Sequence, residues 1–333
     1  MTRRVTIKDV AKAANISETT VSLILNNKGS RFSVETIERV RKAQSELHYV
    51  PNINAQSLTH QHSKMIGVLI PDFRNPFFNQ FVSGIQEKAE ELEYIPLIFG
   101  FNNDRKRGSY YLEELVGRAV DGLIIASDEL NEADVDHVLK ANQVPYIVLD
   151  RNTTSEGERL GIDDFNGGQI VAKFLYESGH RDVVVVMPKT PSANIHNRWL
   201  GFKSYAETIE KMTVSQIFAP LTKVGGRLAA SELQSIPKVT GIFAINDEVA
   251  LGLYRGINDQ GKRIPEDYSI VGFDDIEIDQ YLTPTLTTVH QPILELGRLA
   301  TKLLIQQIDQ PQKQIQKVKL PVELVVRNST IKR

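Results

Sequence analysis

The stretch VTIKDVAKAANISETTVSLILN, residues 5–26, combines two short helical patterns with the turn between them. Thr6 and Asp9 have the spacing of a capping box, which predicts that a helix begins after Thr6. The apolar residues that follow recur at intervals of three and four and predict one buried helix face, made of Ile7, Val10, Ala11 and Ala14. Asn15 and Ile16 then leave room only for a tight turn.

A second short helix is predicted directly after this turn. Ser17 is a suitable N-cap, and the carboxylate of Glu18 suits the positive end of the helix dipole. The predicted buried face consists of Val21, Ile24 and Leu25. At about 100° per residue, the opposite face is small and mostly polar and consists of Thr19, Ser22, Leu23 and Asn26. Such a face fits the major groove of DNA, so the pattern indicates a helix-turn-helix.

A third helix is predicted after a short loop, with Ser33 as its N-cap. Its apolar residues on one face are Ile37, Val40 and Leu47. Three amphipathic helices are also compatible with a bundle that has no role on DNA, but the charge distribution favours DNA binding. Residues 1–62 hold nine Lys and Arg against five Asp and Glu, a balance of +4; because the whole chain carries −2, the remainder carries −6. A basic module on an acidic body is the pattern expected for phosphate contacts.

The composition is typical of a soluble globular protein. The 333 residues are 41% hydrophobic and 24% charged, with enough length for a small module and two larger domains. The absence of cysteine excludes disulfides and is compatible with a reducing cytoplasm. The N-terminal residues MTRRVTIKDV contain no apolar signal-peptide core, and no run approaches the ~18 apolar residues of a membrane span. We therefore expect a cytoplasmic protein without a membrane partner.

From residue 65 onward, short apolar runs alternate with helical patterns. The first runs are MIGVLI (65–70), IPLIFGF (95–101), GLIIAS (122–127) and PYIVLDR (145–151), and the second are VVVVMP (183–188), GIFAIN (241–246) and YSIVGFDD (268–275). Strands that are apolar on both faces predict parallel sheets covered by helices on each side. The predicted fold class is α/β: an all-α helix-turn-helix headpiece followed by two doubly wound lobes with parallel sheets.

The domain organisation follows from these patterns. The helix-turn-helix headpiece is predicted for residues 1–50, a polar and poorly periodic linker for 51–63, and a two-lobed α/β body for 64–333. After TTVHQP (287–292), a long helical pattern and LPVELVVRNST suggest that the chain crosses between lobes more than once. The predicted lobes comprise about 64–161 with 292–320, and about 162–291 with 321–333.

Enzyme signatures are missing from the α/β body. It contains no GxGxxG, GxxxxGKS/T, GxSxG or HExxH sequence, and the pairs Gly167–Gly168 and Gly225–Gly226 are interpreted as turns or helix starts. His60 and His62 in the linker have no third ligand nearby, so exposed linker residues are favoured over a metal site. The sequence therefore predicts a binding protein, not an enzyme, without a cofactor or metal.

Polar and aromatic residues follow the ends of the predicted strands. In open parallel sheets, ligands bind beyond the carboxyl ends of the strands. Aromatic rings stack on the C–H face of a sugar, and charged planar groups form paired hydrogen bonds with neighbouring hydroxyls. The candidate ligand contacts are Asn75, Phe77, Phe78, Asp150, Arg151, Arg198, Asn246, Asp274 and Gln291. Structural alternatives are a surface ion pair for Asp150 and Arg151, and a helix or turn cap for Asp247 and Asp275.

The headpiece closely resembles that of the LacI/GalR family of bacterial repressors. The resemblance runs without a gap over about sixty residues and includes TIKDVAKAANIS, TTVSLILN, the third helix ending in Tyr49, and VPNINAQSL. It implies that the second helix reads the major groove and that a hinge helix inserts Leu58 into the minor groove, while Ala55 lets paired hinge helices approach. The residues implied in DNA binding are Thr6, Ser17, Glu18, Thr19, Thr20, Ser22, Leu23, Asn26, Asn27, Arg31, Ala55 and Leu58.

Leu23 departs from the family pattern, which usually has an arginine at this position. A leucine offers only apolar contact, for instance to a thymine methyl group. The resemblance therefore implies DNA binding but does not specify the operator sequence.

The body resembles the effector domain of the same family, which shares its fold with periplasmic sugar-binding proteins. The family phrases in this sequence are NPFF, NDEVALG, IVGFDD and TTVHQP. The resemblance implies that the nine candidate contacts lie where ribose-binding members hold their ligand, which favours ribose or a similar pentose over a purine. The family's usual aromatic residue in the second lobe is missing from APLTK (219–223); Leu221, or Trp199 beside Arg198, could substitute for it.

The resemblance implies a homodimeric repressor on a pseudo-palindromic operator. It also implies that the linker, residues 51–63, is a hinge and that the body, residues 64–333, binds an effector and dimerises. A sugar that closes the cleft would rotate the first lobes, separate the hinge helices and lower operator affinity. One alternative is a regulator of the same fold that responds to a phosphorylated carrier protein or a sugar phosphate. An alternative of another class is a solute-binding protein that serves a transporter; the headpiece and the missing export signal count against it.

Overall fold

The computed structural model describes residues 5–26, 30–50, 62–127, 130, 132–149, 159–312 and 318–333. The chain divides into two units between Ser63 and Lys64. Residues 51–61, which include most of the predicted hinge, lie outside the described residues.

The first unit contains the helices α1 (Ile7–Ala14), α2 (Glu18–Leu25) and α3 (Val34–Glu46). The Asp9 carboxylate accepts hydrogen bonds from the backbone N–H and the hydroxyl of Thr6, at 2.8 and 2.7 Å. The hydroxyls of Ser17 and Ser33 accept from the backbone N–H groups three residues later, at 3.2 and 3.3 Å. Between α1 and α2, Asn15 adopts the left-handed conformation with φ 53°, which lets the chain turn sharply. The predicted helix starts are thus made by the predicted caps.

These three helices share one small core. Val10, Val21 and Val40, one from each helix, are fully buried. Burial of an aliphatic side chain contributes about 1.5–3 kcal/mol relative to exposure, so a unit of this size depends on these few residues. The core also orients α2, because Val21 and Ile24 point inward and leave the opposite helix face outward.

The described residues of the second unit form two six-stranded sheets. The strands of the first sheet are β1 (Met65–Ile70), β2 (Ile95–Gly100), β3 (Gly122–Ile125), β4 (Tyr146–Leu149), β5 (Arg159–Ile162) and β11 (Val318–Leu320). Those of the second sheet are β6 (Asp182–Met187), β7 (Thr213–Phe218), β8 (Gly241–Ala244), β9 (Ser269–Asp274), β10 (Thr287–His290) and β12 (Glu323–Val325). The strand orders are β11-β5-β4-β3-β1-β2 and β12-β10-β9-β8-β6-β7.

Helices cover both faces of each sheet. They are α4 (Pro76–Glu91), α5 (Arg105–Gly117), α6 (Glu132–Ala141), α7 (Asp164–Glu177), α8 (Ala193–Glu207), α9 (Lys223–Glu232), α10 (Asp247–Asp259) and α11 (Ile293–Asp309). Successive side chains of a strand point to opposite faces, so Val185 packs in one hydrophobic cluster and Val184 and Val186 in another. Across the described part of the chain, no helix combines the length and hydropathy needed to span a bilayer.

The chain passes between the sheets three times: after β5, after β10 and after β11. Within the first sheet the described strand pairs are parallel. In the second sheet β12 returns antiparallel to β10, whereas the other described pairs are parallel. These crossings bring the carboxyl ends of both sets of parallel strands to one shared edge, where a cleft lies.

Three strands and several helix starts differ from the sequence-based expectation. The predicted strand set lacks β5, β7 and β11, because none of them contains a continuous apolar run; β7 and β11 are edge strands whose side chains are mostly exposed or half-buried. The helices α7 and α9 begin three residues before the predicted starts at Gly167 and Gly226, because Asp163 and Thr222 cap them.

Both glycine pairs lie at the start of α7 and α9, so of the two interpretations the helix start is confirmed and the turn is not. A Cβ atom on Gly168 would lie 2.0 Å from the carbonyl oxygen of Arg198 in α8. One on Gly226 would lie 2.1 Å from the carbonyl oxygen of Val249 in α10. Both distances are far below van der Waals contact. The missing side chains therefore allow two helix pairs, α7 with α8 and α9 with α10, to approach closely.

Candidate functional site

The outward face of α2 carries most of the predicted DNA contacts. Ser17, Glu18 and Thr19 are exposed, and Thr20, Ser22, Leu23 and Asn26 are half-buried. Leu23 does not pack against the described core of this unit, so its apolar side chain is available for contact with DNA. Thr6 caps α1. Asn27, Ala55 and Leu58 lie outside the described residues.

The positive charge of the first unit lies at its surface. The described basic side chains are all exposed: Lys8, Lys12, Arg31, Arg39, Arg41 and Lys42. Lys42 lies 3.9 Å from the carboxylate of Glu46, and an exposed pair of this kind has little energetic weight. The Arg31 guanidinium lies 5.2 Å from the ring centroid of Phe32, which orients it without neutralising it. Such cations attract the phosphate backbone independently of sequence.

In the second unit, a cleft of about 600 Å³ opens at the carboxyl ends of both sheets. Six of the nine predicted ligand contacts line it: Asn75, Phe77, Phe78, Arg198, Asn246 and Asp274. Of the other three, Gln291 is buried beside Asp274, and Asp150 and Arg151 lie outside the described residues. The preceding residue, Leu149, also lines the cleft.

The first sheet contributes an aromatic wall. Asn75 is the N-cap of α4, and its Oδ1 accepts a hydrogen bond from the backbone N–H of Phe77 at 3.0 Å. Pro76 follows at the first helical position, where it needs no hydrogen-bond donor. The rings of Phe77 and Phe78 meet edge to face, with centroids 5.0 Å apart and planes at 79°. The cap and the ring contact together place two half-buried aromatic faces at the cleft.

The second sheet contributes a charged wall that is built around Arg198. Its side chain is only 3% exposed, and its Nε donates to Asp164 Oδ1 at 2.7 Å. Its Nη1 donates to the carbonyl oxygen of Ile245 at 3.0 Å and lies 3.5 Å from Asp274 Oδ1. Its guanidinium carbon lies 3.8 Å from the ring centroid of Phe273. Arg198 is therefore held in place before any ligand binds.

Asp274 lies at the end of β9, and a buried neighbour fixes its carboxyl. Gln291 Nε2 donates to its Oδ1 at 2.6 Å and thereby orients the carboxyl. Gln291 itself is not among the described residues that line the cleft. Burial raises the pKa of Asp274 well above its usual range, although the charge of Arg198 opposes this shift. Hydrogen bonds that a hydroxyl-rich ligand donates to this carboxyl stabilise its charged form, which burial disfavours.

Helix N-caps recur around the cleft. Asn75, Ser192, Thr222 and Asn246 cap four helices, and all four line the cleft. A strand that ends at the cleft edge leads directly into a helix start, which explains the recurrence. Asn246 Oδ1 accepts from the backbone N–H of Val249 at 3.0 Å, and Asn246 lines the cleft. The alternative that Asp247 caps this helix is wrong, because Asp247 is its first helical residue.

Several cleft residues are missing from the sequence-based prediction: Asp72, Asn103, Ser127, Thr190, Ser192, Asn194 and Thr222. All but Thr222 lie at or beyond the ends of predicted strands, so the same strand-end rule could have found them; Thr222 follows β7, which the sequence does not predict. Of the two proposed substitutes for the missing aromatic residue, Leu221 lines the cleft. Trp199 packs against the main hydrophobic core, where its ring stacks on Phe202 at 6.5 Å.

Comparison with known proteins identifies both units. A family described as "Bacterial regulatory proteins, lacI family" matches residues 6–52, and one described as "Periplasmic binding protein-like domain" matches residues 172–330. A ribose operon repressor of Halalkalibacterium halodurans is 34% identical over 98% of this chain and 97% of its own. One of Haemophilus influenzae is 33% identical over 97% of this chain and 98% of its own.

Solved structures of the family are also similar. A LacI family transcriptional regulator from Enterococcus faecalis with bound ribose is 40% identical, with a TM-score of 0.75 over 81% of this chain and 99% of its own. The lac repressor dimer bound to operator is 28% identical, with a TM-score of 0.88 over 99% of this chain and 100% of its own. The predicted family resemblance and fold class are confirmed: the chain belongs to the lacI family of bacterial regulatory proteins and is a DNA-binding transcriptional repressor, not an enzyme.

Proposed function

We propose that this repressor binds its operator as a homodimer in the cytoplasm and releases it when a pentose, with ribose as the first candidate, fills the cleft. The observation that carries the proposal is the pairing of an aromatic wall with a buried polar wall across a cleft of about 600 Å³. This pairing suits a small neutral polyol. The ribose bound in the Enterococcus faecalis relative and the ribose operon repressors among the relatives support the same effector.

In this proposal, Phe77 and Phe78 stack on the sugar's C–H face, and Arg198, Asn246 and Asp274 bond its hydroxyls. Asn75 adds an amide, and Asp150 and Arg151, which follow the cleft-lining Leu149, complete the set. Gln291 acts through Asp274.

The DNA-contacting residues are proposed to lie on the outward face of α2 and in the hinge. Glu18, Thr19 and Leu23 would meet base edges, the exposed cations would meet phosphates, and Leu58 would wedge into the minor groove with Ala55 at the hinge contact. The sugar can lower operator affinity only by its preference for one arrangement of the two lobes. The operator-bound dimer of the lac repressor supports a dimeric arrangement for this chain.

The test uses the full-length protein. Calorimetry against ribose, other pentoses, hexoses, ribose 5-phosphate and a purine identifies the ligand, and fluorescence anisotropy with genomic operator fragments measures DNA affinity. We expect one pentose to bind and to weaken operator binding. Binding of the phosphate ester or the purine alone, or of no compound together with no response on DNA, would reject the proposed effector.

A variant that keeps the helix cap separates binding from folding. Asn246→Ser retains a capping oxygen for α10 but removes the amide donor from the cleft. Loss of one hydrogen bond should weaken sugar binding roughly three- to tenfold and leave operator affinity in the absence of sugar unchanged. Asn142→Ser, at an exposed asparagine after α6, is the matched control and should change neither affinity.

A further inference from the structure

The turn that follows β9 has an unusual backbone. Asp274 has φ 132° and Asp275 has φ 60°, two consecutive aspartates in a region that side-chain-bearing residues rarely adopt. Strain of this kind persists only where the surroundings enforce it. Something must therefore hold the turn in place.

The two carboxyls of this turn have different partners. Asp274 lines the cleft, where Gln291 and Arg198 reach it. Asp275 Oδ1 accepts from Arg327 Nη2 at 2.6 Å, and its Oδ2 lies 2.9 Å from His290 Nδ1. The unusual backbone lets Asp274 face the cleft while the adjacent Asp275 binds Arg327, which follows β12.

The backbone of the same turn is held by Asp247, which is fully buried at the start of α10. Its Oδ2 accepts from the backbone N–H groups of Asp275 and Ile276, at 2.7 and 3.3 Å. Its Oδ1 accepts from the Thr288 hydroxyl at 2.8 Å. A Cβ atom on Gly272 would lie 2.0 Å from this Oδ1, so the carboxylate fits only because β9 has a glycine there.

A second buried acid, Asp279, lies beside Asp247. Among the described residues, no donor reaches either of its carboxyl oxygens. Burial, and then the charge of Asp247, raise the pKa of Asp279 to about 11. Asp279 is therefore protonated and can donate to Asp247. Burial also raises the pKa of Asp247, and the hydrogen bonds that Asp247 accepts oppose this shift.

We infer that Asp247 is a positioning residue for the effector site: its carboxylate holds the 274–276 turn in the conformation that presents Asp274 to the sugar. The inference rests on the proposed sugar-binding function. A merely structural role, in which Asp247 only ties α10 to β9 and β10, would lower stability without changing the site.

The experiment compares full-length wild type with Asp247→Asn. An amide has one acceptor oxygen where the carboxylate has two, so its NH2 group must face at least one of the present donors. We expect faster hydrogen exchange at the amides of Asp275 and Ile276. We also expect ribose affinity to fall roughly tenfold or more, since hydrogen bonds to a charged group are lost, with operator affinity in the absence of sugar retained.

Glu248→Gln is the matched control. Glu248 follows Asp247 in the same helix and pairs with Lys223 at 3.0 Å, away from the turn. It should keep the wild-type exchange rates and ribose affinity. If Asp247→Asn melts earlier but exchanges and binds ribose like wild type, the role is structural and the inference is overturned.

Thr288→Val covers the case in which Asp247→Asn does not fold. It removes a single donor from Asp247 and should give the same two changes at smaller size; wild-type values in this variant would also overturn the inference. If wild type itself binds no sugar, the proposed function fails, while the exchange rates of Asp275 and Ile276 still decide whether Asp247 holds the turn.

Discussion

The two walls of the cleft are built by different means. On the first sheet, Phe77 and Phe78 are half-buried rings that follow a helix cap, meet edge to face and pack against the main hydrophobic core. On the second sheet, Arg198, Asp274 and Gln291 are almost fully buried and already bonded within the protein. The first wall is thus a contact surface, whereas the second is a preorganised polar network.

This difference predicts different consequences of mutation. A change in the aromatic wall should alter mainly ligand affinity, because those rings contribute little to the buried network. A change in the polar wall should alter stability and ligand affinity together, because each group there also satisfies another buried group.

The largest expected effect is that of Arg198→Ala. This change leaves the buried carboxyls of Asp164 and Asp274 without their cation and should cost about 3–5 kcal/mol in the free energy of unfolding, measured by urea denaturation. Arg227→Ala is the control: Arg227 forms an exposed pair with Asp259 at 2.9 Å, and its loss should cost less than about 1 kcal/mol. Equal costs for the two variants would contradict the contrast between the walls.

The second-largest effect is a pH dependence of stability that arises from Asp279, which lies beside Asp247. Because the folded-state pKa of Asp279 is raised from 3.8 to about 11, the folded protein holds a proton that the unfolded chain releases above pH ~4. Stability from this group is full below that pH and falls by about 1.4 kcal/mol per pH unit above it. The charged or titratable groups that face it are Asp247, Asp274, Asp275 and Tyr254.

Asp279→Asn removes this titration while keeping a donor toward Asp247. Its melting temperature should therefore exceed that of wild type by a margin that grows between about pH 6 and pH 9. Asp267→Asn is a control that should lower the melting temperature in this pH range. The backbone N–H of Arg263 lowers the pKa of Asp267, so the ionised carboxylate of Asp267 stabilises the fold. A constant difference between Asp279→Asn and wild type across this range would contradict the assignment of the proton.

A smaller effect is expected for Phe77→Ala in the aromatic wall. Loss of a stacking face should weaken pentose binding roughly tenfold, and unfolding by urea should change less than in Arg198→Ala. Phe218→Ala, at an exposed phenylalanine of β7, should leave calorimetric affinity unchanged. An aromatic variant that loses stability as strongly as Arg198→Ala would show that the two walls do not differ in kind.

The smallest effect is expected for Leu221→Phe. Leu221 lines the cleft in the loop where the family usually has an aromatic residue, so a ring there should add a second stacking face. Pentose affinity should rise roughly threefold by calorimetry. A fall in affinity would mean that the cleft has no room for two rings.

The sequence alone determined the features that depend on local order. The caps at Thr6, Ser17 and Ser33, the buried face of α2 and the long apolar strands are all readable as spacing, because neighbours in sequence make their contacts. Six cleft residues were predictable for the same reason, since a strand end and the next helix cap are adjacent in the chain.

Only the tertiary structure decided which groups act on one another across the chain. Arg198 meets Asp164 and Asp274, and Asp247 meets the turn at Asp275, through contacts between residues 28 to 76 positions apart. No local spacing in the sequence predicts such pairs. The edge strand β7 is not predicted either, because it contains no continuous apolar run. Periodicity reports which face of an element is buried, whereas the partner buried against it depends on the folding of the whole domain.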